Sequence, residues 1–523
     1  MAAAGLTVGG GRDGRRRRQR PSSAPVRNEL DVERLARFVD PLFMPPRAEP
    51  AGVRATPRPS TPFYRIPLRA VESRVHRDLP PTRFWSFGDS FPGPTIETAR
   101  GQGFWIDWVN ELPARHFLPI DHTMHGAEPG VPESRAVVHV HGARVRPEYD
   151  GHPEHWTTPG QTASFYYPNS QDAATLWYHD HTMGINRLNL YAGLMGVYLI
   201  RDEADDALGL PSGARDVPLL FCDRILDAQG QLVYPVSGNP AAPWVPEVYG
   251  DAMLVNGRLF PFVEVDPAPY RLRLINACNG RYLHLSIAEG VPFHQIAGDQ
   301  GLLDRPVRAA RIDLLSAERA EVVLDFSSYA GRRLTLQNDG RAIVEWRVGQ
   351  GKPTPFGVPA ALRPVTRLMP SEATAARTHT LAEETNLFKQ PMRMLINDLR
   401  WHAPVTETPR LGSTEIWSLV NVTDDAHPIH LHLVRFQIVD RRPFDVFAYQ
   451  NTGELRFVGP PMPPDPGESA WKDTARAEPG MVTRLIVRFE GFAGRYMWHC
   501  HLVEHGDNEM MRPLEILPEA IRL

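Results

Sequence analysis

Tyr496-Met497-Trp498-His499-Cys500-His501-Leu502-Val503-Glu504-His505-Gly506-Asp507-Asn508-Glu509-Met510-Met511 is the stretch on which the reading of the chain turns. Side chains on a strand alternate between its two faces, so an extended His-Cys-His sends Cys500 one way and His499 and His501 the other. Two metal sites then share three consecutive residues. A thiolate from Cys500, an imidazole from His505 and a thioether from Met510 supply three of the four ligands of a blue-copper site. The missing ligand is expected to be another histidine.

Working outward, His139-Val140-His141, His179-Asp180-His181 and His430-Leu431-His432 repeat the His-x-His spacing. Random placement of 20 histidines in 523 residues produces about 0.8 such pairs, and the chain has four. One pair alone reads as chance, a surface pair or a structural zinc ligand; four together, one bracketing a cysteine, do not. Asp425-Ala426-His427-Pro428 precedes the third pair, and His427, placed just before the strand, is able to turn toward Cys500. The inventory is one mononuclear set, His427, Cys500, His505 and Met510, and eight further histidines for a multinuclear cluster. Thiolate with thioether selects copper, whereas a structural zinc site needs only four ligands and leaves eight imidazoles without a purpose.

The bulk properties fit a large multi-domain chain. The length is a soft prior for three or four domains with ample core. Fifty-seven basic against 61 acidic residues, a net charge of -4, argues against a general role on nucleic acid or on membrane surfaces. Three cysteines are too few for a disulfide framework, and Cys222 and Cys278 read as small buried apolar residues. Arg15-Arg16-Arg17-Arg18 is followed by Pro21-Ser22-Ser23-Ala24-Pro25 rather than by an apolar region, so no convincing signal peptide is expected and residues 1–30 read as a disordered basic tail. No run of 18 apolar residues occurs, so no membrane span is expected.

From about residue 60 the chain is short β-rich runs punctuated by glycine and by 51 prolines, about twice the usual share of roughly 5%. An all-β fold follows. The expected units are 31–205, carrying the first two His pairs; 206–348, without a His pair and serving as a spacer that lines a cleft; a Pro-rich linker at 349–377; and 378–523, carrying the remaining motifs. The Gly459-Pro460-Pro461-Met462-Pro463-Pro464-Asp465-Pro466-Gly467 run is a rigid surface loop, either near the substrate site or a mere connection.

With these motifs in hand, the chain from about Asp31 onward resembles the multicopper oxidases, and among them the bacterial spore-coat laccases, bilirubin oxidases and phenoxazinone synthases. Arg77-Asp78-Leu79-Pro80-Pro81-Thr82-Arg83, Phe117-Leu118-Pro119-Ile120-Asp121-His122, Arg187-Leu188-Asn189, Trp471-Lys472-Asp473-Thr474 and Met511-Arg512-Pro513 add to the likeness. The resemblance implies three cupredoxin-like Greek-key β-sandwich or barrel domains and four copper ions. A type 1 copper would sit in the third domain, and a trinuclear cluster between the first and third. Carried onto this sequence, His139 and His430 would hold the type 2 copper, and His141, His179, His181, His432, His499 and His501 the type 3 pair.

The implied reaction is one-electron oxidation of a phenol, aromatic amine or bilirubin-like pigment, entering through an exposed edge of His505, with dioxygen reduced to water. The alternatives are an oxidase of cuprous or manganous ions and a non-catalytic copper-binding coat protein. Partners are a small aromatic substrate and dioxygen, with no nucleic acid or membrane; a monomer is expected, cytoplasmic or associated with a spore or cell surface. Asp150 matches a family carboxylate near the cluster and is the first candidate for proton delivery; its competing role is an Asx turn before Gly151. Close relatives carry Glu directly after the second type 1 histidine, where this chain has Gly506, so Asp507 or Glu509 is expected to compensate if anything does.

Overall fold

Phe104-Trp105-Ile106-Asp107-Trp108-Val109 becomes the strand Phe104–Asn110, whose first positions alternate between buried and half-buried because one face meets the core. The computed structural model describes residues 29–240, 243–354, 356–386 and 391–519. The expected tail falls outside the described residues except for Glu29 and Leu30, which pair with Asp227 and Leu226.

Such strands assemble into six sheets, two for each third of the chain. Before residue 205, a sheet built on Thr61–Ser73, Phe104–Asn110 and Thr162–Tyr167 packs through a shared core against one of Gly93–Ala99, Met195–Arg201, Ala174–Asp180 and Val138–His141. The middle third repeats this with Asp216–Leu226, Pro269–Asn276 and Arg319–Asp325 in one sheet and Leu283–Ile287, Arg333–Asn338 and Arg341–Val348 in the other. The last third pairs a sheet of Ala375–Thr385, Thr414–Asn421, Met481–Arg488 and Phe436–Pro443 with one of Thr474–Ala477, His427–Leu431, Gly494–Cys500 and Met511–Ile516. The fold is all-β, three cupredoxin-like sandwiches with only short helices.

Between the second and third pairs of sheets the described residues are irregular over 349–354 and 356–369, and Leu362 and Arg363 hydrogen-bond back to Asp304 and Leu303. The strand Ala375–Thr385 already belongs to the last third. The proline-rich Gly459–Gly467 run is a connection: Met462 bridges to Arg441 and Gly467 accepts from Gln295 of the middle third.

Buried ions tie the units together. Arg273 reaches Asp216 at 2.6 Å and Glu321 at 2.8 Å, and Arg271 reaches Asp205 at 2.9 Å. Lys472 reaches Asp299 at 2.9 Å and Glu318 at 3.0 Å, joining the last third to the middle one. No helix among the described residues is long and apolar enough to cross a membrane.

Candidate metal centres

Register places the histidines before any side chain is considered. His139 lies directly opposite His179 on paired strands of the first unit, and His430 lies opposite His499 in the third. Opposed residues share a face, so each pair of strands presents its imidazoles on one side. His181 and His501 stand one residue past their strand ends. The two sheets meet face to face: the His139 ring stacks on His432 at 3.9 Å and the His141 ring on His430 at 3.7 Å.

The eight rings sort into three groups of converging donors, two of which share His141: His139, His141 and His430; His141, His179 and His501; and His181, His432 and His499. All eight are buried. Burial holds the His141, His179, His181, His430, His432 and His501 imidazoles well below the ordinary histidine range, and His499 down to about 4, so they are neutral with a lone pair to offer.

Hydrogen bonds decide which nitrogen keeps that lone pair. Nδ1 of His139 donates to the Asp150 carbonyl at 2.7 Å, Nδ1 of His430 to the Asp473 carbonyl at 2.8 Å, and Nδ1 of His499 to the Cys500 carbonyl at 3.0 Å. Their Nε2 atoms therefore point inward unprotonated, and those of His139 and His430 are buried with no partner at all. Nε2 of His499 lies 3.1 Å from that of His181 and 3.2 Å from that of His432. His432, whose Nδ1 donates to Asp150, and His499 thus face each other with lone pairs 3.2 Å apart, an arrangement that a cation between them would relieve. His141 is turned the other way: Nε2 donates to Asp473 Oδ1 at 3.1 Å, leaving Nδ1 buried and unpartnered.

On the opposite face of the same strands, Cys500 Sγ lies 3.5 Å from His427 Nδ1 and 3.9 Å from His505 Nδ1, with the two nitrogens 3.3 Å apart. His427 is the first residue of the strand His427–Leu431 rather than a residue before it. Three positions separate it from His430, so pleat parity alone turns it toward Cys500. Its Nε2 donates to Thr423 Oγ1 at 2.7 Å, and that hydroxyl donates to Asn421. Burial pushes the Cys500 thiol well above its ordinary range and His427 down to about 3, so metal binding here displaces the thiol proton. Met510 is tied in through its backbone, its carbonyl accepting from Cys500 N at 3.0 Å and its N–H donating to His505 O at 2.9 Å. Its side chain is buried in the same apolar cluster as Cys500.

One expectation fails here. His505 has no exposed edge; it is fully buried, against the backbone of Pro246 and beside Trp244, whose indole donates to the Glu504 carbonyl. A cavity of about 940 Å³ lies on the far side, lined by Asp121, Trp244, Pro246, Met392, Arg400 and Glu509 among others.

The carboxylates take distinct places. Asp150 is buried, its Oδ2 accepts from His432 Nδ1 at 2.8 Å, and burial raises its pKa despite nearby His139. It thus holds two cluster rings, one by its carboxylate and one by its carbonyl. Gly151, at φ +81°, must be glycine because a Cβ would sit 2.4 Å from the Val138 carbonyl. Asp507 lines a narrow cavity of about 10 Å³ beside His181, His499 and Gly506, but its Oδ2 is engaged by Arg187 at 2.8 and 3.2 Å. Glu509 instead faces the large cavity and accepts from Trp401 N. Reading the sequence missed Glu504, wholly buried, hydrogen-bonded by Tyr234 and Asn279, and pushed up by burial to about 7. It also missed what Asp473 does, although Trp471-Lys472-Asp473-Thr474 had drawn notice as a motif.

Two family models, both described as Multicopper oxidase, match residues 130–205 and 369–520. A laccase of Bacillus subtilis is 41% identical over 511 residues, covering 92% of this chain and 99% of its own. The chain belongs to the multicopper oxidase family. A rice protein named multicopper oxidase LPR1 homolog 1 is 35% identical over 562 residues, covering 95% of this chain and 96% of its own. A Pediococcus acidilactici laccase structure superposes with a TM-score of 0.77 at 27% identity, covering 94% of this chain and 98% of that one. The multicopper oxidase described here is accordingly a laccase-like oxidoreductase that binds copper and couples a reducing substrate to dioxygen.

Proposed function

We propose that this multicopper oxidase oxidises small phenols, aromatic amines or bilirubin-like pigments. The large cavity carries the reading: its volume of about 940 Å³ falls within the usual span for small-molecule sites, and its Trp244 and Pro246 wall backs directly onto His505. Asp121 holds Trp244 in place by accepting from its backbone N–H at 2.8 Å.

In the proposed arrangement His427, Cys500, His505 and Met510 hold the type 1 copper, His139 and His430 the type 2, and His141, His179, His181, His432, His499 and His501 the type 3 pair. Converging unprotonated donors support it. When bound, copper takes single electrons from the substrate at the thiolate centre and reduces dioxygen to water at the histidine cluster. The chain's part is to hold the rings, exclude water and deliver protons. The backbone from His499 through Cys500 to His501 joins the two centres covalently, and Asp150, buried against His432, is the proposed proton carrier.

The division into units at 31–205, 206–348 and 378–523 with a linker at 349–377 is likewise proposed; the pairing of sheets within each third supports it except at the linker's end, where Ala375–Arg377 already pair with Glu415–Trp417 in the last unit's sheet. A monomer, in the cytoplasm or associated with a spore or cell surface, is also proposed.

Oxygen uptake by copper-complete protein with a methoxyphenol or with cuprous ion tests the substrate class. The phenol is expected to be turned over far more efficiently once the uncatalysed rate is subtracted. A clear win for cuprous ion replaces this reading with a metal-ion oxidase.

Gly506→Glu tests the missing acid. A Cβ there would lie 3.9 Å from His499 Nδ1 and 3.0 Å from the Cys500 carbonyl, so the substitution asks that carbonyl to give by a few tenths of an ångström beside the narrow cavity. Faster reoxidation of the reduced protein by dioxygen in stopped flow is expected, and an unchanged rate rejects a proton-supply limit at this position.

A further inference from the structure

We infer that His125, His402 and Glu154 form a binding site for one divalent transition-metal ion beside the cavity, separate from the copper ligand sets. The three donor atoms lie within 4.8 Å of one another. Nothing in the His-x-His pattern pointed to them, because each comes from a different stretch: His125 from the loop after Phe104–Asn110, Glu154 from the turn after Asp150, and His402 from beyond the strand Pro391–Ile396. Like the histidine cluster, the set draws on both the first and the last thirds of the chain.

The decisive atom is His125 Nε2. It is buried and has no hydrogen-bond partner, although the ring as a whole is 23% exposed. On the other side of the ring, Nδ1 lies 3.4 Å from Glu128 Oε1. A carboxylate facing Nδ1 favours the proton there and leaves the lone pair on the hidden Nε2, the tautomer that a metal-binding imidazole needs. The His402 ring meets His125 edge to face, with centroids 4.4 Å apart. Ordinary ring stacking accounts for that contact but not for a nitrogen left buried and unsatisfied.

The surroundings hold the donors while leaving them room to close. Arg135 donates to the carbonyls of Gly126 and Met183, fixing the turn that carries His125. Buried Trp401 is the scaffold for the rest: its indole donates to Glu154 Oε1 at 3.0 Å, its backbone N–H to Glu509 at 2.8 Å, and His402 follows it directly in the chain. Metal–donor distances near about 2.1 Å require donors up to roughly 4 Å apart, which the exposed Glu154 and His402 side chains reach by small rotations. Two imidazoles and a carboxylate, without thiolate, suit borderline ions such as Zn²⁺, Co²⁺ or Ni²⁺ and not cuprous ion. His125 and His402 also line the large cavity, so an ion bound here sits in its wall.

Zn²⁺ titration of the copper-complete protein by calorimetry, with metal analysis after dialysis, tests the site. One Zn²⁺ per chain is expected beyond the resident copper, with copper content unchanged. His402→Gln and His125→Gln should each weaken that binding at least tenfold while keeping the copper content and melting temperature, whereas His294→Gln on the middle third should leave it as it was. Absence of saturable Zn²⁺ binding overturns the inference. So does a Zn²⁺ affinity that neither cavity variant changes in a protein that still folds and carries copper.

Discussion

Cys500→Ser abolishes the visible absorption of the copper–thiolate centre and lowers substrate oxidation by more than about a hundredfold, beyond the range of roughly 10–100-fold for a residue that merely orients a ligand. Cys500 contributes to both centres, offering its Sγ to His427 and His505 on one face and accepting from His499 on the other through its carbonyl. The carbonyl survives the substitution; the soft ligand does not. A serine hydroxyl is close in size to the thiol but more polar, and Cys500 is completely buried among apolar side chains. The fold should therefore persist at a cost of about 1–3 kcal/mol. Visible absorption, turnover of a methoxyphenol and far-ultraviolet circular dichroism measured together check the result. A variant that keeps its colour and its turnover would sink the assignment of the thiolate site.

Asp473→Ala carries the largest expected loss of stability, about 3–5 kcal/mol, the usual cost of leaving a buried charge without its partner. Asp473 joins all three thirds of the chain. Its carboxylate meets Arg319 of the middle third at 2.6 Å and accepts from His141 of the first at 3.1 Å, with all three side chains buried. Burial alone would raise its pKa, but the Arg319 guanidinium and His141 outweigh burial and hold the carboxyl well below the usual range. Without it, Arg319 keeps only Asp299 at 3.6 Å and backbone carbonyls, and Asp299 already serves Lys472.

The pH dependence follows from the sign of that shift. A folded-state pKa below the unfolded one stabilises the protein fully above the unfolded value, near 3.8, and the stabilisation is lost as pH falls through the folded value. The gap between the two proteins should hold constant from neutral pH down to about 5 and close in stronger acid. His141 also loses one of its two Nε2 partners, keeping Thr474 Oγ1 at 3.1 Å, so copper content should fall in the histidine cluster before the thiolate centre is affected. Denaturant midpoints and metal analysis of both proteins check this; a loss of under about 1 kcal/mol would show that Arg319 finds other partners.

Twelve metal-ligand candidates were legible because their signals are local. Pleat alternation forces Cys500 away from His499 and His501 whatever the rest of the chain does, and the count of His-x-His pairs needs no fold at all. The same alternation corrected His427: expected just before the strand, it is the strand's first residue, and its odd spacing from His430 aims it at Cys500. The all-β class was equally local, visible in short strand-like runs between glycines and prolines. Asp150 was found as a carboxylate near the cluster, but the ring it holds, His432, lies 282 residues away.

What the sequence determined by itself was the ligand types, their sorting onto two faces and the family to which they belong. Only the tertiary structure decided which nitrogen of each ring is left bare, that Trp244 and Pro246 stand between His505 and the cavity, that Asp473 and Arg319 lock the thirds together, and that His125 meets His402. The reason is separation along the chain. His141 and Asp473 are 332 residues apart, and no periodicity or spacing spans that distance; burial and packing bring such pairs together, and the dry interior then makes each unpaired charge or lone pair costly enough to specify its partner.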